Sequence, residues 1–147
     1  MLYFKNGRLF MSKISLIIPN GCYIRTENPI DPGLDAVELY SPDKSTDICI
    51  YLTEERQELK KCLKWEYESF LEGRRPQKSA FFEEKCGGLA GEGFFLLLKK
   101  PCGIYYALFP IKPPLYLCVE AETGKDPELL KDSPYIRQIL DSIRKEA

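Results

Sequence analysis

Six cysteines are the strongest nucleophiles in this sequence. They are Cys22, Cys49, Cys62, Cys86, Cys102 and Cys118. No two of them have the Cys-x-x-Cys spacing of zinc ribbons and thioredoxin-like redox sites, so neither class of site is predicted. Buried free thiols are the favoured interpretation, and a disulfide framework is the alternative that an even number of cysteines leaves open. Cys86 and Cys102 are the candidates for a reactive thiol, because each precedes a glycine in a predicted turn.

Two pairs of carboxylates have the residue type that acid–base catalysis or a metal site requires. Glu83 and Glu84 are neighbours in a predicted strand, where successive side chains point to opposite faces, so they cannot act on one substrate. Glu120 and Glu122 share a face if their strand extends that far. Solvated carboxylates at the end of a sheet are the favoured interpretation of this second pair.

A glycine-rich segment, residues 87–93, is similar in composition to a phosphate-binding loop. Such a loop leads from a strand into a helix whose N-terminal amides face the phosphate. The apolar residues 94–98 that follow here predict a strand instead. The glycines are therefore expected to form a hairpin turn or a bulge.

The most compact basic cluster consists of Arg74 and Arg75, with Lys78 nearby. Guanidinium groups bind carboxylates and phosphates through paired hydrogen bonds, so the cluster is a candidate site for an anion or an acidic partner. A solvated loop between a helix and a strand is the alternative.

The overall composition excludes several classes of function. The sequence contains no histidine, which is the commonest metal ligand and general base, so catalytic triads and zinc sites that use histidine are excluded. Lys and Arg number 21 against 22 Asp and Glu, which gives a formal net charge of -1 and no broad basic surface for nucleic acid. We predict no cofactor, no metal and no nucleic-acid partner.

The N-terminal residues 1–13 lack the uninterrupted apolar segment of a signal peptide. Elsewhere, no apolar run approaches the roughly 20 residues that a membrane-spanning helix needs. The sequence therefore predicts a cytoplasmic protein without membrane insertion.

Residues 87–120 form the most apolar third of the chain, and glycine and proline divide it into short runs rich in aromatic and branched residues. Runs of this kind are typical of strands. They predict an antiparallel meander of Glu92–Lys99, Gly103–Phe109 and Leu115–Glu120. A further strand is expected just before the meander, within Lys78–Cys86.

Shorter elements are predicted before the meander. Asn6 and Gly7 favour a tight hairpin turn within residues 2–11. The other predicted elements of this part are a strand at Ile14–Ile18, its continuation at Cys22–Ile24, a loop at Thr26–Leu34, and a hairpin of Ala36–Tyr40 with Asp47–Leu52.

Two helices are predicted. The first is expected to begin at an N-cap of Thr53 and to end at Gly73, because apolar residues recur between them at spacings of three and four. The second begins at Ser133-Pro134 and reaches Arg144, again with apolar residues at helical spacing. Each helix is expected to lay its apolar face on the sheet.

The aromatic content exceeds what a small core obviously needs. If one face of the sheet is left partly uncovered, its aromatic side chains are candidates for binding a partner. The alternative is that helices cover both faces. The candidate partner-binding residues are Trp65, Tyr105, Tyr106, Phe109, Tyr116, Arg74 and Arg75.

The order of these elements, together with ISLIIPNGCYI (residues 14–24) and SPYIRQILDSIR (residues 133–144), resembles the PsbP-like family. That family includes the photosystem protein PsbP, a Ran-binding nuclear-import protein and many small bacterial proteins. The resemblance implies an α+β fold, an α/β/α sandwich with a central antiparallel sheet of about six to seven strands, one long helix and a C-terminal helix. It also implies that residues 1–147 form a single domain. No catalytic residues are carried over, since the family has no shared active site.

The resemblance and the absence of histidine favour a non-enzymatic binding or adaptor domain that engages a protein partner through its sheet. One alternative is a cytosolic chaperone for hydrophobic segments of secreted effectors. Two further alternatives are a small-ligand carrier and an enzyme with a cysteine nucleophile or a carboxylate pair.

Overall fold

The computed structural model describes residues 2–25, 35–100 and 102–146. The elements are β1 (Leu2–Lys5), β2 (Arg8–Met11), β3 (Ile14–Leu16), β4 (Tyr23–Arg25), β5 (Ala36–Tyr40), β6 (Thr46–Glu54), α1 (Leu59–Leu71), β7 (Lys78–Cys86), β8 (Leu89–Leu98), β9 (Cys102–Lys112), β10 (Leu115–Thr123), a 3-10 helix (Pro127–Asp132), α2 (Pro134–Ser142) and β11 (Arg144–Lys145). The α+β fold predicted from the sequence is confirmed. The loop predicted at Thr26–Leu34 lies outside the described residues.

The strands form two antiparallel sheets. The larger sheet has the order β4-β5-β6-β10-β9-β8-β7, and the smaller has the order β1-β2-β3-β11. The number of strands in the larger sheet, seven, agrees with the expected six to seven. The separate smaller sheet was not predicted, because the two residues of β11 are too few to leave a pattern in the sequence.

Two hydrophobic cores lie on opposite faces of the larger sheet. The first core contains α2 residues such as Ile136 and Ile139 and small-sheet residues such as Met11 and Ile14. The second lies under α1 and includes Leu63 and other buried side chains of α1, β8 and β9. Helices therefore cover both faces, but to different extents.

The predicted meander is confirmed, and each of its three strands is longer than expected. Gly87 and Gly88, with φ of 48° and 84°, form the turn between β7 and β8. Gly91 and Gly93 lie within β8 itself. The glycine-rich segment is thus a hairpin, as its sequence context predicted, and no helix follows it.

The predicted beginning of α1 was wrong. Thr53 lies in β6, opposite Tyr116 of β10, and the helix begins at Leu59 with Glu58 as its N-cap residue. The strand continues past Thr53 because β10 pairs with it, and the Pro114 carbonyl, in the turn just before β10, accepts a hydrogen bond from the Glu55 amide. A long-range strand pairing has overridden a local capping signal.

The predicted end of the last helix was also wrong. The helix stops at Ser142, and Ile143 is extended, with φ of -66° and ψ of 135°. This conformation buries the Ile143 side chain in the first core and lets Arg144 pair with Ser15 of β3. The helix therefore ends two residues before the predicted end, because Ile143 packs in the core and Arg144 pairs with β3.

Candidate functional site

α1 covers only part of its face of the larger sheet. In β8 and β9, consecutive residues are buried, so both faces of these strands are covered. In β5 and β6, buried residues alternate with partly exposed ones. The buried side chains of β5 and β6 face the first core. Their partly exposed side chains therefore point to the opposite face of the sheet, on which α1 packs, but they lie on strands that the helix does not reach.

The part of this face that α1 and the other described elements leave uncovered is rich in carboxylates. Glu38 of β5 lies opposite Cys49 of β6, which lies opposite Glu120 of β10. One row further along, Asp47 lies opposite Glu122. We call this surface the acidic trough. It consists of Glu38, Asp47, Cys49, Tyr51, Glu120 and Glu122 on the strands, and of Cys62, Glu66 and Phe70 on the adjoining flank of α1.

Neutral donors supply most of the hydrogen bonds within the trough. The single S–H of Cys49 has two acceptors within reach, Glu38 Oε2 at 3.6 Å and Asp47 Oδ1 at 3.9 Å. The Tyr51 hydroxyl donates to Glu120 Oε2 at 3.0 Å. These donors fix the carboxylates in place without neutralising their charge.

The like charges of the trough perturb one another. Partial burial, and then the neighbouring carboxylates of Glu38 and Glu122, raise the pKa of Asp47 to about 6. Burial also raises the pKa of Glu120, against the opposing effect of the Tyr51 hydroxyl. The pKa of Glu66 is raised by burial and by Glu120, so the helix and strand carboxylates share one electrostatic site.

Few cations offset this negative charge. Arg25 Nη1 lies 3.8 Å from Glu38 Oε1, and this arginine is about half exposed. In the parts of the chain that the structure describes, no ion pair joins a lysine or arginine to Asp47, Glu120 or Glu122. The trough therefore has an excess of negative charge.

The trough also contains a possible metal-binding group. One ligand atom each from Glu38, Asp47 and Cys49 lies within 4.8 Å of the others. Burial and the adjacent carboxylates raise the pKa of the Cys49 thiol far above neutrality, so the thiol stays protonated. Because the thiolate is the metal-binding form of cysteine, binding of a metal ion here would require release of the thiol proton and would be favoured at higher pH.

An aromatic cleft adjoins the trough at the first half of α1. Its volume is about 480 Å³, and it is lined by Glu55, Gln57, Lys61, Cys62, Trp65 and Glu66. The Trp65 side chain is 66% exposed, which is unusual for so large an apolar group. Glu66 belongs to both the cleft and the trough, so the two form a continuous surface along α1.

The structure separates the residues that the sequence suggested for partner binding. Tyr105 and Phe109 are buried in the first core, whereas Tyr106 and Tyr116 are buried in the second. These four side chains therefore contribute to the packing of the sheet and are not part of its exposed surface. Trp65 alone among the five aromatic candidates is exposed.

Arg74 and Arg75 are exposed after the end of α1. Arg74 Nε donates to the Leu71 carbonyl at 3.1 Å and so helps to cap the helix. Their contribution to partner binding stays a prediction.

The other carboxylate pair, Glu83 and Glu84, is divided as the alternation of a strand requires. Nη1 and Nη2 of Arg137 both donate to Glu84, which joins α2 to β7. The Tyr105 hydroxyl adds a hydrogen bond to Glu84 at 3.1 Å. Glu84 is thus part of the packing of α2, and Glu83 is not brought beside it.

All six cysteines are free. Burial raises the pKa of every one of these thiols, to about 12 for Cys86 and about 11 for Cys102. At neutral pH the two candidate reactive thiols are therefore protonated and weakly nucleophilic.

The raised pKa of Asp47 predicts how stability depends on pH. Its folded-state pKa exceeds the unfolded value of 3.8, so its contribution to stability is present below pH 3.8 and is lost as the pH rises through about 6. We expect Asp47→Asn to raise the free energy of unfolding at pH 7.5 by about 1 kcal/mol, a value reduced for solvent screening, and to change it little at pH 4. Urea titrations at both pH values measure this difference.

Asp43, in the turn between β5 and β6, is the matched control. Hydrogen bonds from Lys125, Ser45 and Ser41 lower its pKa, so Asp43→Asn should decrease stability at pH 7.5. If the two variants changed stability in the same direction at pH 7.5, the electrostatic description of the trough would be wrong.

Comparison with known proteins gives a similarity to a solved structure. No family model matches the chain, and no curated protein sequence matches it. The crystal structure of LpqN, a protein involved in cell envelope biogenesis of Mycobacterium tuberculosis, is similar, with a TM-score of 0.67. The similarity covers 91% of this chain and 83% of LpqN at 13% sequence identity, so it concerns the fold alone. The PsbP-like assignment stays a prediction.

The described helices were also compared with the length of a membrane span. Neither α1 nor α2, nor the 3-10 helix, is long and apolar enough to cross a bilayer.

Proposed function

We propose that this chain is a non-enzymatic protein-binding domain that engages its partner through the acidic trough and the adjoining aromatic cleft. The observation that carries the proposal is the incomplete cover of the sheet by α1. Alternate residues of β5 and β6 are partly exposed, and Trp65, with most of its surface in solvent, lines the cleft that shares Glu66 with the trough. An exposed large apolar side chain beside an uncovered sheet face is typical of an interaction surface.

The chemistry of the candidate catalytic groups supports a non-enzymatic role. The cysteines have raised pKa values, and Glu84 is held by Arg137. Asp47 and Glu120 of the trough have raised pKa values, but Cys49 and Tyr51 are their hydrogen-bond donors, and neither donor is activated as a nucleophile. Binding is the function that this arrangement favours.

The composition of the surface favours a protein-binding domain over the two other binding functions, a chaperone and a small-ligand carrier. A chaperone for hydrophobic segments requires a broad apolar surface, whereas the solvent-facing side chains of the trough are mainly carboxylates. A small-ligand carrier requires space between α1 and the sheet, and buried side chains such as Leu63, Phe94 and Tyr106 fill that layer. We therefore prefer a protein partner at the surface. The cytoplasmic location is retained as part of the proposal.

Photo-crosslinking in the source cell tests this function. Benzoylphenylalanine is introduced in place of Lys61, which lines the aromatic cleft, or of Gln138, an exposed residue of α2 on the opposite face. We expect a discrete protein adduct from position 61 and little from position 138. Equal adducts from both positions, or none from position 61, would contradict the proposed function.

A further inference from the structure

We propose that the partner inserts a cationic segment, in which lysine or arginine alternates with apolar side chains, into the acidic trough. This inference rests on the proposed function and specifies the chemistry of the partner. Three features of the structure carry it: the charge of the trough, the spacing of its carboxylates and the exposed Trp65 at its end.

The charge of the surface selects a cation. The trough and cleft together contain the carboxylates of Glu38, Asp47, Glu55, Glu66, Glu120 and Glu122. Among the described residues, the cations near them are Arg25, which pairs with Glu38, Lys61 at the cleft, and Arg74, which acts on the Cys102 thiol that donates to Glu122. Like charges directly opposite one another in adjacent strands are unfavourable. A cationic partner would remove this repulsion, so it gains an attraction that a neutral or acidic segment lacks.

The spacing of the carboxylates favours more than one cationic side chain. Glu38, Cys49 and Glu120 lie in one row across three strands, and Asp47 and Glu122 lie in the next row on the same face. Residues two apart on a strand are separated by about 6.5–7 Å. An extended segment has the same spacing between alternate side chains, so successive cations can reach successive rows.

Trp65 provides the apolar part of the site. Its indole is exposed beside Glu66, whose carboxylate is electrostatically coupled to Glu120. An indole face stabilises a cation or packs against an aliphatic side chain. A segment that combines both kinds of residue therefore matches the trough and the cleft at once.

Binding of synthetic peptides tests this inference. The probe is a capped eight-residue peptide in which arginine alternates with leucine, and its comparators replace either the arginines by glutamate or the leucines by serine. Affinity is measured by isothermal titration calorimetry with the intact protein. We expect the arginine–leucine peptide to bind, the glutamate–leucine peptide not to bind, and the arginine–serine peptide to bind more weakly. Binding should weaken between about 50 and about 300 mM NaCl.

Matched variants locate the binding site. Glu120→Gln combined with Glu122→Gln should weaken binding about tenfold, whereas Asp132→Asn combined with Asp141→Asn, which removes two exposed charges elsewhere, should change it less than about twofold. Trp65→Ala should weaken binding of the arginine–leucine peptide by a larger factor than binding of the arginine–serine peptide, because only the first peptide loses an apolar contact as well as a cation–indole contact. The trough variant removes like-charge repulsion, so its folding is not expected to suffer.

Several outcomes would overturn the inference. In the peptide series, these are failure of the arginine–leucine peptide to bind and binding of the glutamate–leucine peptide. In the variant series, it is equal affinity of the two double variants for the arginine–leucine peptide. Displacement of the peptide by a low concentration of Mg²⁺ would also overturn it, because it would indicate a metal-ion site. If position 61 crosslinks to a partner while the arginine–leucine peptide fails to bind, the proposed function stands and only the cationic chemistry fails. Absence of the crosslink removes the proposed function itself.

Discussion

Phe94→Ala is expected to lower the free energy of unfolding by about 3–5 kcal/mol. Phe94 is fully buried at the centre of the second core. Its ring centroid lies 5.2 Å from that of Tyr106 on β9, and 5.5 and 6.0 Å from those of Tyr67 and Phe70 on α1. Truncation leaves a cavity between the helix and the sheet that close packing cannot easily refill.

The loss of packing in Phe94→Ala should also affect the candidate site, because Phe70, which contacts Phe94, lines the acidic trough. Trp65 is the single tryptophan of the chain, so its fluorescence during denaturant unfolding reports on α1 directly. Phe81→Ala is the matched control, since Phe81 contacts the same Tyr67 and Phe94 rings but is 56% exposed at the sheet edge. It should cost less than about 1 kcal/mol. Equal losses in the two variants would show that Phe94 does not anchor the helix.

Gly93→Ala is expected to cost about 3 kcal/mol, because it adds a methyl group where β8 approaches β9 too closely to accommodate one. A Cβ atom at Gly93 would overlap the Tyr106 carbonyl oxygen and would lie 3.1 Å from the Ala107 Cα and 3.0 Å from the Phe82 ring. The backbone of a central strand cannot move away without disturbing its neighbours. Denaturant unfolding measures the loss.

The control for Gly93→Ala is Gly88→Asn in the turn between β7 and β8. A Cβ atom at Gly88 meets no atom within 4 Å, and asparagine tolerates positive φ better than most residues. We expect a loss below about 1 kcal/mol. If Gly93→Ala were as mild as the control, the close approach of β8 and β9 would not constrain this position.

The sequence distinguishes the strands that are covered on both faces from those that are covered on one. Ile48, Ile50 and Leu52 alternate with Asp47, Cys49 and Tyr51, which is typical of a strand with one face in contact with water. Residues 104–109 of β9 have no such alternation and are buried on both faces. The pattern distinguishes the two halves of the sheet before any helix is placed.

The composition of the acidic trough depends on pairings between distant strands. The sequence predicts that Glu120 and Glu122 share a face if their strand extends that far. The strand β10 reaches Thr123, so the shared face is confirmed. Their partners Cys49 and Asp47 lie about 70 residues away in sequence. The order of strands within the sheet determines that β6 adjoins β10, and single-strand patterns do not contain that order.

Local signals predicted elements better than their ends. The Asn6-Gly7 turn, the meander and both helices were predicted, since turn chemistry and periodicity are local. The ends of a helix depend on its contacts with the sheet, which are not local in sequence. Thr53, for example, pairs with β10 instead of capping α1, and the helix begins at Leu59. Four of the five aromatic candidates are buried for a related reason, since the position of α1 decides, for example, that Tyr106 is buried.

The central claim is that the sheet face beside α1 binds a protein. The most direct test is the ratio of adduct formed with benzoylphenylalanine at position 61 to that formed at position 138, measured in the source cell under identical illumination. The account predicts a discrete adduct several-fold more abundant at position 61, and predicts that Glu120→Gln with Glu122→Gln reduces it. A ratio near one, or an adduct unaffected by loss of the two carboxylates, would contradict the account of a partner bound through the acidic trough.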